Sequence, residues 1–327
     1  MRKADAESVS EAEPVFRAES APVPDAESAF GAEPAPVTGV EACSGAGSVS
    51  EADPGKVVAR LRQSGFRFKK KWGQNLLLDT HYLDRIADQA QIRSGETVVE
   101  IGAGTGALTQ ALARRGAWVL AIEIDPALLP LLREATRDSK RVRAVPGDVL
   151  KMDLDRLAED AGLSAPYKIV ANLPYSISTP VLTHIMTRAR HWDTAVLTLQ
   201  DEVARKLTAS PGTAGYGVLT LTALAFGDAQ ILFGVHARAF TPVPAVESAV
   251  VRLTRRPRPL EADTARLNAL IRAAFGKRRK TLANALQGLR LPESYGNWPD
   301  ALAAAGIDPR RRGETLSLEE YVALVRL

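Results

Sequence analysis

The stretch TVVEIGAGTGALTQALARRGAWVLAIEID, Thr97 to Asp125, decides the fold. Val98, Val99 and Ile101 form a short β-branched apolar run, and glycines follow at once at positions 102, 104 and 106. A run of that kind predicts a buried strand opening into a tight turn. Ala107, Leu108, Ala111 and Leu112 recur at helical spacing until Gly116, and Trp118 to Ile122 make a second apolar run closed by Glu123. The expectation is two parallel strands joined by a crossover helix, the unit from which an α/β sheet is built.

Glycine is required where the backbone must approach a ligand closely or take dihedrals that a Cβ disfavours. A carboxylate at the tip of the second strand is placed to accept hydrogen bonds from both ribose hydroxyls of a nucleoside-containing ligand. The spacing GxGxG, with Ala107 next, departs from the dinucleotide fingerprint GxGxxG and disfavours a nicotinamide dehydrogenase. No GxxxxGKS/T follows a strand, so nothing cradles a triphosphate.

The chain of 327 residues, 46% hydrophobic, is long enough for one large core and a smaller one. No run reaches the ~18 apolar residues of a membrane span, and the start MRKADAESVSEAEP lacks an apolar signal segment. A soluble, cytoplasmic protein is expected. The single cysteine, Cys43, excludes an intramolecular disulfide, and four scattered histidines offer no metal cluster, so no metal is expected. Net charge is uneven. Residues 1–54 hold three basic and eleven acidic side chains, net −8, which leaves 39 basic against 27 acidic, net +12, for the rest. A body that basic favours a polyanionic partner.

Residues 1–54 are dominated by Ala, Glu, Ser, Pro and Val, with SVSEAEP at 8–14 returning as SVSEADP at 48–54. Such a segment buries too little to offset its ordering entropy, and a disordered acidic tail is expected. After a helical stretch near Lys56 to Gln63, Lys69, Lys70 and Lys71 precede Trp72. Charge beside a stacking surface suits nucleic acid, although the same run also serves as a solvated face. Asp79 or Thr80 caps a helix to about Gln91. Asp125 and Pro126 predict the start of a helix running to Arg137, with Pro130 kinking it or delaying its start.

Strands are predicted over Val142–Val145, Lys168–Ala171, Val196–Leu199, Ile231–Val235 and Ala249–Leu253. Asp148, just past the third strand of the sheet, either accepts from an adenine amino group or caps the next turn. Asn172-Leu-Pro-Tyr-Ser-Ile-Ser-Thr-Pro180 follows the fourth strand, bringing a side-chain carbonyl, a proline and an aromatic face to the ligand edge. Phe240-Thr-Pro-Val-Pro-Ala-Val-Glu-Ser248 must be extended, because its prolines restrict it. Beyond a linker at Arg255–Pro259, helices are expected over 265–289, 298–305 and 318–327, the first containing Lys277, Arg278, Arg279 and Lys280.

Taken together, GQN at 73–75, EIGAGTG at 100–106, NLPYSIST at 172–179, FTPVPAVESAVVRL at 240–253, RRKTL at 278–282 and GIDPRRRGETLSLEEY at 306–321 resemble the motifs of the rRNA adenine N6-dimethyltransferases, in the same order. The likeness is strongest to the branch that dimethylates two adjacent adenosines near the end of small-subunit rRNA. Leu76 stands where that family usually has Phe, Ala103 where it has Pro, and Glu247 where it has Asp. The resemblance implies a class I S-adenosylmethionine-dependent methyltransferase fold, α/β and Rossmann-like with a mostly parallel seven-stranded sheet over 55–256, and a small all-helical C-terminal domain over 257–327.

It implies S-adenosylmethionine held by Asn75, Leu77, Gly102, Gly104, Glu123, Asp148 and Asn172. The target amine would be gripped by the Asn172 side chain and the Pro174 carbonyl, with Tyr175 and Phe240 stacking on the base. RNA contacts fall to Lys69, Lys70, Lys71, Arg278, Arg279 and Lys280, and the partner is small-subunit rRNA or a pre-small-subunit particle, met by a monomer. Two other functions fit the same motifs less well: a large-subunit rRNA adenine methyltransferase that confers antibiotic resistance, and a non-catalytic RNA-binding assembly or transcription factor.

Overall fold

Seven strands in the order β4 (Val142–Pro146), β3 (Trp118–Glu123), β2 (Thr97–Ile101), β5 (Tyr167–Asn172), β6 (Trp192–Gln200), β9 (Ser248–Arg255) and β7 (Gly227–Val235) form the central sheet of the computed structural model, which describes residues 54–327 apart from 64, 70–72, 259, 261, 278 and 292–293. The expected tail up to residue 53, together with Lys70, Lys71 and Arg278, lies outside the described residues. β2, β3, β4, β5 and β6 run parallel. β9 lies antiparallel between β6 and β7. The parallel strands read as near-continuous apolar runs because both faces are covered. Val98, Val119, Val170, Val196 and Val250 pack on one side against α2 (Thr80–Gln89), which follows α1 (Pro54–Gln63) in the chain, and against α3 (Ala107–Arg114) and Leu132 of α4 (Leu129–Thr136). Ile101, Ile122, Ile169 and Leu197 pack on the other against α5 (Leu154–Asp160), α6 (Ser178–Arg188) and α7 (Asp201–Leu207).

Several boundaries move for identifiable reasons. Asp79 does cap α2, accepting the His81 N–H at 3.0 Å. α4 begins at Leu129, with Pro130 in its first turn, so the proline delays the helix and Asp125 is not its N-cap. Instead Asp125 is buried and paired with Lys69, whose Nζ lies 2.7 Å from Oδ1. β7 starts at Gly227, ahead of the expected Ile231, because an edge strand can expose polar Asp228 and Gln230, which break the apolar run that the pattern follows. A pairing absent from the sequence reading joins β1 (Leu76–Leu77) to β8 (Phe240–Thr241) as a separate antiparallel ribbon, Leu77 opposite Phe240.

The helix expected over 265–289 is two helices. α9 (Thr264–Gly276), capped by Asp263, stops at Gly276, and α10 (Leu282–Leu286) starts after a turn in which Lys280 N–H bonds to the Lys277 carbonyl. The N–H groups of Leu282 and Ala283 are taken by the carbonyls of Arg311 and Pro309, which fixes where the second helix begins. Lys277, Arg279 and Lys280 therefore sit exposed in a turn, not inside a helix as the pattern predicts. α11 (Trp298–Ala304) and α12 (Leu318–Val325), the latter closed by a Ser317/Glu320 capping box, complete the set. Their core takes in Tyr216, just before α8 (Val218–Phe226), and Leu221 of that helix, and the Tyr216 hydroxyl donates to the Leu316 carbonyl at 2.7 Å. Among the described residues no helix is long and apolar enough to cross a membrane, and no group of His, Cys, Asp and Glu could hold a metal.

Candidate active site

Strand order reverses between β2 and β5, and the loops leaving the carboxyl ends of these two strands face one crevice, the place where open α/β sheets bind ligands. From β2 comes the glycine turn. Gly102 and Gly104 have φ of +74° and +58°, the left-handed region that side chains disfavour. A Cβ on Gly104 would also meet Leu76 Cδ2 at 3.1 Å, so the leucine at the family's phenylalanine position packs directly on the turn.

Glu123 at the tip of β3 is 5% exposed and clamps this turn: Oε2 accepts the Gly104 N–H at 2.7 Å, and Oε1 accepts the Asp125 N–H at 2.7 Å. Burial and the neighbouring Asp125 charge raise its pKa, against the pull of those two backbone bonds. Each carboxylate oxygen can accept a second hydrogen bond, which leaves capacity for ligand hydroxyls. Gly147 N–H bonds to the Glu123 carbonyl at 2.9 Å, bringing Asp148 to the same edge. Asp148 caps its own turn through Leu150 N–H at 3.1 Å, and does so with one oxygen.

β5 delivers Asn172. Its Nδ2 donates to the Asn75 carbonyl at 3.1 Å, which orients the amide and makes Oδ1 the acceptor. The Asn75 side chain folds back on Gly73, donating to its carbonyl at 3.2 Å. Gly73 is itself pressed on the loop after β5, since a Cβ there would lie 2.7 Å from Ser176 Oγ. The Pro174 carbonyl accepts from the Ile177 N–H and from the Ser178 hydroxyl, both at 3.1 Å. An incoming amine would compete with the rotatable hydroxyl and not with the backbone donor.

Tyr175 and the buried Phe240 make an edge-to-face pair with centroids 6.5 Å apart. The tyrosine hydroxyl is 2.5 Å from the Oγ of Ser248, a residue 2% exposed at the start of β9. Burial raises the Tyr175 pKa, and the phenol remains neutral at physiological pH. The β1–β8 ribbon joins the two halves of the crevice by setting Leu77 across from Phe240.

Asn75, Leu77, Gly102, Gly104, Glu123, Asp148, Asn172, Pro174, Tyr175 and Phe240 are thus brought to one sheet edge. Lys69 reaches that edge too, where its ammonium is held by Asp125. Burial works to raise the Asp125 pKa, but hydrogen bonds from Lys69, Gln74 and Ala127 outweigh it and hold the carboxylate below its usual range. Arg279 and Lys280 lie elsewhere, in the turn between α9 and α10.

Three residues gave no separate signal in the sequence reading. Ser248 and Gln74 act through partners far away in the chain. Glu100 on β2 is 1% exposed with Oε2 unpartnered, and its pKa is pushed up to about 8 by burial, opposed by Thr109 and helped by the Glu123 charge.

A parallel sheet ending in an antiparallel hairpin pair, a GxGxG turn clamped by a strand-tip carboxylate and an Asn-Leu-Pro-Tyr loop define a Rossmann-like methyltransferase. The chain belongs to the ribosomal RNA adenine dimethylase family, which matches residues 65–324. Ribosomal RNA small subunit methyltransferase A of Moorella thermoacetica is 43% identical over 284 residues, covering 85% of this chain and 98% of that protein. The protein of the same name from Geobacter metallireducens is 44% identical over 269 residues, covering 81% and 97%.

Among solved structures, a dimethyladenosine transferase from Plasmodium falciparum superposes with a TM-score of 0.66 at 24% identity, covering 76% of this chain and 95% of that one. The 23S rRNA methyltransferase ErmE gives 0.59 at 28% identity, covering 77% and 98%.

Proposed function

We propose that this protein transfers methyl groups from S-adenosylmethionine to the N6 amines of two adjacent adenosines in a loop near the 3′ end of small-subunit rRNA. The observation that carries the reading is the Asn172 amide, locked by Asn75 with its oxygen as acceptor, beside an aromatic pair held by Ser248. When bound, S-adenosylmethionine supplies an electrophilic methyl group. Gly102 and Gly104 would let the backbone approach it, Glu123 would accept from its ribose and Asp148 from its adenine, and Asn75 and Leu77 would line the same edge.

An adenine exocyclic amine is a weak nucleophile, because its lone pair is delocalised into the ring. Asn172 Oδ1 and the Pro174 carbonyl each accept one of its hydrogens, with the Ser178 hydroxyl turning away, and this aims the lone pair out of the ring plane. Positioning and fixed dipoles then lower the barrier without a general base. As the N–C bond forms, the methyl–sulfur bond breaks with its electron pair left on sulfur. The amine, now cationic and far more acidic, loses one proton to water, so one N–H survives and one acceptor still holds the amine for the second transfer. The target base must leave its stack to reach the site, and Tyr175 and Phe240 replace the stacking it loses.

The exposed Arg279 and Lys280, with Lys70, Lys71 and Arg278, meet RNA phosphate, and residues 257–327 act as a docking unit on the body formed by 55–256. Lys69 holds the entry segment through Asp125, which offsets its charge, so its part is to position that segment beside the RNA. The protein then works in the cytoplasm, as a monomer, on rRNA or a pre-small-subunit particle. Higher identity to the small-subunit enzymes than to ErmE favours this over a large-subunit target. Incubating the purified protein with labelled S-adenosylmethionine and either small- or large-subunit particles lacking the modification tests it. Label is expected in small-subunit rRNA, and label confined to large-subunit rRNA would overturn the assignment.

A further inference from the structure

We infer that the loop Pro242–Val246 is an apolar wedge that stacks against the nucleobase next to the target adenosine and holds the strand open. This rests on the reading that the substrate is an adenosine in RNA. Pro242, Val243, Ala245 and Val246 are exposed and Pro244 is half-buried, a run of five consecutive apolar residues facing outward. Val243 is 63% and Val246 44% exposed, two of the few large hydrophobics on the described surface. Soluble proteins keep such a run in water only where something binds it.

Both stems of the loop are anchored in the active site. Phe240 enters from the aromatic pair, and Ser248 leaves through its bond to the Tyr175 hydroxyl. The outgoing stem is tied down further, since Glu247 accepts the Ala237 N–H through its side chain at 3.0 Å and the Asp201 N–H through its carbonyl at 3.1 Å. Pro242 and Pro244 fix φ within the loop, so little entropy remains to be lost when it meets a partner.

A short rigid apolar edge bordering a base-accepting crevice matches the flat, apolar face of the base uncovered when its neighbour is extruded. Inserted apolar side chains unstack base steps in just this manner. An apolar protein partner would have no reason to meet the chain here, at the rim of the adenine site.

The test uses Val243→Ala with Val246→Ala, the conservative pair Val243→Leu with Val246→Leu, and two hairpins carrying the 3′-terminal loop of small-subunit rRNA. One hairpin is intact, and in the other the bases flanking the two adenosines are replaced by abasic ribose. The alanine pair is expected to lower kcat/KM at least tenfold on the intact hairpin and less than twofold on the abasic one, where there is no stack to break. The leucine pair should restore the rate, and S-adenosylmethionine affinity should not move in any variant. Equal loss on both hairpins, or no loss on the intact one, would overturn the wedge. If the wild type labels neither hairpin nor an unmodified small-subunit particle, the underlying function is overturned and the wedge with it; if it labels the particle alone, the same intact-against-abasic comparison is made in particles carrying the two loops, with the same outcomes deciding.

Discussion

Glu123→Gln perturbs the ligand contact and the turn that carries it, and the two effects can be read separately. In the native protein Oε2 accepts from Gly104 and Oε1 from Asp125, each at 2.7 Å. Glutamine offers one acceptor oxygen and one amino group, so whichever way the amide turns, one backbone N–H faces a donor. An unsatisfied buried donor costs about 1–3 kcal/mol, reduced here because a buried carboxylate beside Asp125 is also removed. At about 2–4 °C per kcal/mol for a domain of this size, the melting temperature should fall by several degrees while the protein stays folded at 25 °C. Charge-assisted hydrogen bonds to the ribose are worth about 1.5–3 kcal/mol, which raises the S-adenosylmethionine dissociation constant by roughly 10- to 150-fold. Thermal unfolding followed by circular dichroism gives the first quantity and isothermal titration the second. A folded variant whose dissociation constant stays within twofold of wild type would refute the ribose assignment, and an unchanged melting temperature would refute the clamp.

Removing the Ser248 hydroxyl with Ser248→Ala should free the Tyr175 ring and lower kcat about tenfold with little change in cofactor affinity; Tyr175→Phe should do the same and the double variant no more, and fully additive losses would show that the two do not act together. Glu100, with its pKa raised to about 8 from an ordinary 4.5, is protonated in both states well below pH 4.5, opposes folding increasingly between 4.5 and 8, where only the unfolded chain ionises, and levels off above 8. The stability of Glu100→Gln relative to wild type should therefore rise by about 1.4 kcal/mol per pH unit between 5 and 8, and a pH-independent difference in urea unfolding would contradict the buried neutral acid. Arg279→Ala with Lys280→Ala should weaken RNA binding and make its logarithmic salt dependence shallower by about 0.7–0.9 per lost phosphate contact, leaving cofactor affinity unchanged. A slope equal to that of wild type would leave this turn as a solvated surface.

The glycine turn and the positions of Glu123 and the Asn-Leu-Pro-Tyr loop at strand ends were legible because their signals are local: a left-handed turn demands glycine, and an apolar run that stops at a polar residue marks the end of a buried strand. Pro130 left two outcomes open, a kink or a late start, and α4 takes the second. What the sequence concealed is what depends on distant partners. Asp125 reads as a helix cap until Lys69 and Gln74, about fifty residues earlier, are found to occupy it. The break between α9 and α10 is set by carbonyls of Pro309 and Arg311, which no pattern around 277–282 reveals. Two-residue pairings such as Leu76–Leu77 with Phe240–Thr241 are too short to leave a periodic signal, yet this ribbon joins the cofactor edge to the base platform. The GIDPRRRGETLSLEEY run turned out to be largely architectural: Arg311 pairs with Glu320, and the Tyr321 hydroxyl donates to the Gly313 carbonyl at 3.0 Å.

The central claim, double methylation of neighbouring adenosine amines, is tested most directly by nucleoside mass spectrometry on defined fragments of small-subunit rRNA after incubation with the protein and S-adenosylmethionine. Two N6,N6-dimethyladenosines in adjacent positions of a single loop fragment are predicted for the wild type and none for Asn172→Ala. Only monomethylated adenosine, dimethylated adenosine at a single site, or an undiminished product from Asn172→Ala would contradict the account.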